Sequence, residues 1–216
     1  MGDVARLRVI AGEGLVLRPW DEDLVRQMAA WHEHGFPYHA FDLSHLSDPP
    51  QAAAMLAKTR EEGRHRYLVA CEDGVAVGRV AVNLRDATGL YLWGVHVPPE
   101  HQGRGVASRM LAAVMGWLEE EYPGPDFTLT SNGYAERAHR TYRALGFRVV
   151  ETRWHFDKEV AARLWRVSPR ERDAVAPHIR FQGGRRQVRA HIFSRPQGHP
   201  PAEGVVRQGA APGEQR

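Results

Sequence analysis

The sequence Val97-Pro98-Pro99-Glu100-His101-Gln102-Gly103-Arg104-Gly105-Val106-Ala107 joins two elements of different period. Before it, Leu90 to Val97 is an apolar run that reads as a strand. After it, Ser108 to Tyr122 reads as an amphipathic helix. Val106, Met110, Leu111, Val114, Trp117 and Leu118 form its buried stripe. A strand, a glycine-bearing loop and a helix start make an anion-binding corner. The N–H groups of the first helical turn point outward unpaired, and the helix dipole favours negative charge there. Gly103 and Gly105 let the main chain approach a ligand closely, and Ala107 adds little bulk. The spacing is neither a dinucleotide fingerprint nor a P-loop. The corner is therefore predicted to hold some other phosphate-bearing molecule.

Gln102-Gly103-Arg104-Gly105-Val106-Ala107 resembles the Q/R-x-x-G-x-G/A loop of the GNAT N-acetyltransferase superfamily. Val97 and Pro99 match the family's preceding V-x-P, with Pro98 as an extra proline. Downstream, Ala138, Tyr142, Gly146 and Phe147 fit the pattern N-x-x-A-x-x-x-Y-x-x-x-G-F. Ala138 and Tyr142 are four apart and share a helix face. Gly146 ends that helix as a residue tolerant of positive φ should. The resemblance spans roughly Leu15 to Asp157, with both motifs in the family's order.

The resemblance implies acyl transfer from acetyl-CoA, as cosubstrate, to a primary amine, with no metal. Amides of Gln102, Gly103, Arg104, Gly105, Val106, Ala107 and Ser108 would hold the pyrophosphate, with the Arg104 side chain near the phosphates. Main-chain groups of Val95 and Val97 would pair with the pantetheine arm, and the N–H of Val95 or His96 would face the thioester carbonyl. Tyr142 would give a proton to the leaving thiolate. The chain departs from the family twice. Ala135 occupies the motif's asparagine position. Tyr91 and Thr130 occupy the two strand positions where members carry a carboxylate base, and neither is a base at neutral pH. His96 has a suitable intrinsic pKa and is the first candidate for that role; His39, His45, Asp42 and Glu33 are alternatives. Phe36, Tyr38, His39, Phe41 and Tyr91 are the expected acceptor contacts, with Trp31 and Trp93 in the same aromatic cluster.

Elsewhere the periodicities give the order βααβββαβαββ, an α+β fold with a mixed, mostly antiparallel sheet flanked by helices and a C-terminal extension. This is also the family's order. Val9 to Arg18 reads as one strand. Asp21 caps a helix expected to run to about His34, and Pro49 and Pro50 start another that runs to about Gly63. Tyr67 to Glu72 and Val75 to Leu84 form a hairpin at Asp73-Gly74. Phe127 to Ser131 is a strand and Ala135 to Leu145 a helix. Two short strands are expected at Phe147 to Glu151 and Arg153 to Phe156. The acyltransferase body is expected over 1–158. An extension over 159–193 carries a short helix and a hairpin around Gly183-Gly184. A Pro-, Gly- and Arg-rich tail over 194–216 is expected to be disordered.

The chain of 216 residues has a net charge of +3. Residues 167–216 hold nine arginines and four acids, so the basic excess lies in the extension rather than the body. Few aromatics accompany those arginines, and nucleic acid is not expected as a partner. There is no membrane-length apolar run and no signal-peptide layout, and Cys71 is the sole cysteine. A cytoplasmic location is expected. The acceptor is expected to be a small-molecule amine. A non-catalytic acyl-CoA-binding or regulatory module and a protein-directed N-acetyltransferase are the alternatives. The extension's hairpin would cover the acceptor pocket or pair with a second subunit, so a homodimer is one expected assembly.

Overall fold

The computed structural model describes residues 10–198, apart from 13, 39–41, 62, 87–88, 157–159, 161–162 and 165. β1 (Ile10–Gly12) and β2 (Leu15–Pro19) lead into α1 (Glu22–Ala29) and α2 (Pro49–Glu61). β3 (His65–Glu72), β4 (Val75–Asp86) and β5 (Gly89–His96) follow. Next come α3 (Val106–Glu121), β6 (Phe127–Asn132), α4 (Glu136–Ala144) and β7 (Arg148–His155). A short helix α5 (Pro169–Val175) precedes the hairpin of β8 (Ile179–Gln182) and β9 (Arg185–Arg195). Among the described residues, nine strands join one sheet in the order β1-β2-β3-β4-β5-β6-β9-β7, with β8 on β9. Only β5 and β6 run parallel; the other pairs are antiparallel.

Alternation along β3 shows how the sheet is covered on both faces. Leu68 and Ala70 turn toward α3, where they pack with Met110, Leu111, Val114 and Leu118. Tyr67, Val69 and Cys71 turn the other way, onto Leu24, Val25 and Met28 of α1 and Leu56 of α2. Cys71 is thus a small buried core residue. The Asp21 side chain accepts the Leu24 N–H and caps α1, as its position in the sequence predicts.

The α+β class holds, with four differences in detail. The expected first strand is two strands, β1 and β2, paired around Gly14 at φ +75°. α1 stops at Ala29 rather than near His34, so residues 30–38 form a connection. The two expected late strands are one, β7, with a register shift between Val149 and Glu151. The hairpin expected in the extension is present, but β9 lies between β6 and β7 in the central sheet and runs on to Arg195. Phe193 is fully buried in the same core as α3 and α4. The extension over 159–193 is therefore continuous with the 1–158 body at β9. Ser194 and Arg195, expected in the tail, belong to a strand.

Candidate active site

The parallel pairing of β5 with β6 runs from Leu90↔Phe127 to Leu92↔Leu129 and then stops. Two features part the strands. β6 stays with β9 through Asn132. β5 carries one residue more than β4 between Trp93↔Ala81 and His96↔Arg79, and Gly94 takes φ +60° there. This is a bulge, and it turns β5 away from β6. A cavity of about 750 Å³ opens between them, within the usual size of a small-molecule site. Trp93, Gly94, Val95, His96 and Val97 line one side, and Thr130, Ser131 and Asn132 the other.

The start of α3 closes one end. Gly105 sits in the left-handed region at φ +73° as the helix N-cap, with no side-chain cap, and the Arg109 N–H makes the first bond back to it. The N–H groups of Val106, Ala107 and Ser108 therefore have no partner within the helix. Those three residues line the cavity together with Gln102, Gly103 and Gly105. The Arg104 guanidinium does not join them. It pairs at 2.6 Å with Glu72 on β3, which also receives Arg109 at 2.5 Å. Its expected place near a phosphate is thus not where the side chain lies. Gln102 donates to the Val97 carbonyl at 3.0 Å and accepts from Arg137 of α4 at 3.2 Å, so it ties the loop to both walls.

Tyr142 stands in the α4 wall of the cavity, on the same helix face as Ala138, which also lines it. Its ring packs against Phe147 and Phe193. Burial, with Tyr91 nearby, pushes its hydroxyl up to about 12. It is a phenol, and therefore a donor, at any physiological pH.

The other end of the cavity is aromatic and histidine-rich. His96 is 4% exposed. Its Nδ1 accepts from Arg79 Nε at 3.4 Å, and its Nε2 lies 2.7 Å from Nε2 of His34. The arginine can only donate, so the network assigns the His96 proton to Nε2, facing the His34 lone pair. Trp31 stacks edge-on at 5.1 Å. Burial, reinforced by Arg79 and His34, pulls the His96 imidazole down to about 2. It is neutral at pH 7 and a weak proton acceptor. Burial also lowers His34, against the opposing pull of Asp42 and Glu100. The Tyr38 hydroxyl donates to the Tyr134 carbonyl at 3.1 Å, and Asn132 donates to the Tyr134 hydroxyl at 2.6 Å.

Among the expected acceptor contacts, Tyr38 lines the cavity, whereas Phe36 and Tyr91 do not. His39 and Phe41 lie outside the described residues. Sequence reasoning missed His34 and Tyr134 as lining residues; Arg137 and Arg140, which read first as a solvated face of the Tyr142 helix, are exposed and also line the cavity. His34 was hidden by the helix expected to carry it; with α1 ending at Ala29, the connection carries it to the cavity instead. Tyr134 follows Gly133, whose N–H donates to the Arg189 carbonyl of β9 at 2.6 Å. That contact cannot be read without knowing where β9 lies. Among the described residues, no group of three or more His, Cys, Asp or Glu side chains is placed to hold a metal ion. No helix there is long and apolar enough to cross a membrane.

Solved structures share this architecture at low identity. A chimera of the spermidine N-acetyltransferase SpeG from Vibrio cholerae and hSSAT matches at 14% identity and a TM-score of 0.59, over 86% of this chain and 96% of that one. RimL, a ribosomal L7/L12 alpha-N-protein acetyltransferase, matches at 14% identity and a TM-score of 0.55, over 88% and 98%. A GNAT family acetyltransferase from Elizabethkingia anophelis with acetyl-CoA bound matches at 12% identity and a TM-score of 0.50, over 85% and 99%. A sequence search of curated proteins finds no match. A sequence model of the acetyltransferase (GNAT) family matches residues 20–147, which include the opened strands, the α3 loop and the Tyr142 helix. With more than half of its length matched, the chain belongs to the acetyltransferase (GNAT) family, whose general reaction is acetyl-CoA-dependent acetyl transfer to an amine.

Proposed function

We propose that this protein is an N-acetyltransferase that moves the acetyl group of acetyl-CoA directly onto a primary amine of a small molecule, in a ternary complex. The observation that carries the reading is the parting of β5 and β6 over an uncapped helix start, with Tyr142 in the wall between. The pyrophosphate would sit on the turn over 102–108, where the N–H groups of Val106, Ala107 and Ser108, unpaired within the helix, and the helix dipole favour an anion. The pantetheine arm would lie in the gap, against main-chain groups of Val95, His96 and Val97. The thioester carbonyl would meet the N–H of Val95 or His96 beside the Gly94 bulge, where a donor stabilises the developing oxyanion. Tyr142 would protonate the departing thiolate. His96, offered by the sequence as proton acceptor, is too weak a base for that task and instead shapes the acceptor end.

The aromatic end formed by Tyr38, Trp93 and Tyr134 supports a compact acceptor. Acceptor screening with release of the free thiol tests this reading. Turnover of acetyl-CoA with at least one small amine is expected. Acetyl-CoA binding without turnover for any amine, peptides included, would reduce the protein to a binding module.

A further inference from the structure

The turn that leads into α3 holds two glycines in the left-handed region, Gly103 at φ +79° and Gly105 at φ +73°. Glycine loses more backbone freedom on ordering than any other residue, so a turn built this way does not hold its own shape. It is held from outside, at both shoulders. On one side Gln102 reaches the Val97 carbonyl and Arg137. On the other side stands Glu72, the last residue of β3 and 32 positions before Arg104.

Glu72 divides its two oxygens between the turn and the helix. Oε2 accepts from the Arg104 guanidinium at 2.6 Å, and Oε1 accepts from Arg109 at 2.5 Å. Arg109 also donates to the main-chain carbonyl of Arg104 at 3.3 Å. The three contacts close a ring around Gly105 that ties a turn side chain, a turn carbonyl and the first turn of α3 to one carboxylate. The Glu72 side chain is 15% exposed and that of Arg109 22%, so this pair is screened less than an ion pair in open water. Neither residue lines the cavity; the carboxylate works from behind the turn. It also offsets two unfavourable charges. Arg104 and Arg109 would otherwise repel each other, and a cation in the first turn of a helix opposes the helix dipole.

Resting on the acetyl-CoA reading above, we propose that Glu72 is a positioning residue for the cosubstrate. Through Arg104 and Arg109 it sets the 103–105 turn in its phosphate-receiving shape before acetyl-CoA arrives. The entropy of ordering two glycines is then lost on folding and does not subtract from binding. By charge alone, a carboxylate beside an anion site weakens binding. Removing Glu72 therefore has two opposed effects, a Coulomb gain that salt screens and an ordering loss that salt leaves in place. The ring of three contacts makes the ordering loss the larger.

Calorimetry of acetyl-CoA binding to the full chain tests this, with Glu72→Gln, Arg109→Met and the double variant, each at about 0.15 M and about 0.5 M salt. Arg109→Met keeps the aliphatic stem and opens the same ring from the helix side. Each single change is expected to weaken acetyl-CoA about fivefold, and the double change no more than the worse single one, because both open one ring. The ratio to the parent is no smaller at the higher salt. The amide NMR signals of Gly103 and Gly105 broaden in the free variants and sharpen at saturating acetyl-CoA, where the ligand supplies the order. Equal or tighter binding by the folded variants would overturn the proposal and leave Glu72 as a counter-charge only. So would losses that multiply in the double variant, or weaker binding with both glycine signals unmoved. If Glu72→Gln does not fold, Arg109→Met decides by the same affinity and the same two signals. A parent chain that fails to bind acetyl-CoA overturns the acetyl-transfer reading itself, whereas a binding parent with unaffected variants overturns only the role of Glu72.

Discussion

Two positions carry the chemistry most directly. Tyr142 is packed between Phe147 and Phe193, so Tyr142→Phe keeps the ring and removes only the hydroxyl. Loss of one proton-transfer role lowers turnover by roughly tenfold to ten-thousandfold. We expect kcat to fall in that range while acetyl-CoA affinity, measured by calorimetry, changes less than about twofold, or roughly 0.4 kcal/mol. Full activity in the variant would make this tyrosine a packing residue. Gly105 sets the start of α3. Its added Cβ would meet no protein atom, but its φ of +73° disfavours any side chain, and a carboxylate there would stand where phosphate must approach. Gly105→Glu should weaken acetyl-CoA binding at least tenfold, about 1.4 kcal/mol. Its circular dichroism spectrum should match that of the parent protein. Unchanged affinity in the folded variant would remove the phosphate from this corner.

The elements show where sequence reasoning succeeds and where it stops. The α3 corner and the Tyr142 helix were legible because both are local: glycine spacing, a 3.6-residue stripe and a helix-ending Gly146 lie within a few residues of one another. The opening between β5 and β6 comes from the Gly94 bulge together with the pairing of β6 to β9. The place of β9 was not legible, because it depends on pairing across some sixty residues of chain with β6 and forty with β7. His34 was missed for a similar reason: nothing in residues 30–34 marks the early stop of α1. β9 makes its own prediction. Phe193 is fully buried against Tyr142 and His139, so Phe193→Ala should cost about 3–5 kcal/mol in urea unfolding. Ending the chain before β9 should abolish folding, since β6 and β7 are joined through it. Ending it after Gly198 should leave acetyl transfer within about twofold, or roughly 0.4 kcal/mol. If that shorter chain loses activity, residues 199–216 take part in the site.

The molecule as a whole buries two neutral imidazoles, His96 in the cavity wall and His139 against His191 and Phe193 of β9, and this sets its response to acid. His96 is held down to about 2 and His139 to about 4, in each case by burial first. An unfolded histidine protonates near 6.5. Below that pH the unfolded chain binds protons that the folded one refuses, so stability falls as pH falls. The contribution is complete above pH 6.5 and declines toward the folded values. At pH 5 each of these two histidines removes about 2 kcal/mol. Tm should therefore drop clearly between pH 7.5 and 5, and by less in His139→Gln; equal drops would remove His139 as a cause. The central claim is that the gap between β5 and β6 holds acetyl-CoA for transfer, and a crystal structure of the chain with CoA tests it most directly. The account predicts the pyrophosphate on the N–H groups of Val106, Ala107 and Ser108, the pantetheine between β5 and β6, and the sulfur within hydrogen-bond reach of the Tyr142 hydroxyl. CoA bound elsewhere, or in the gap with its sulfur remote from Tyr142, would contradict it.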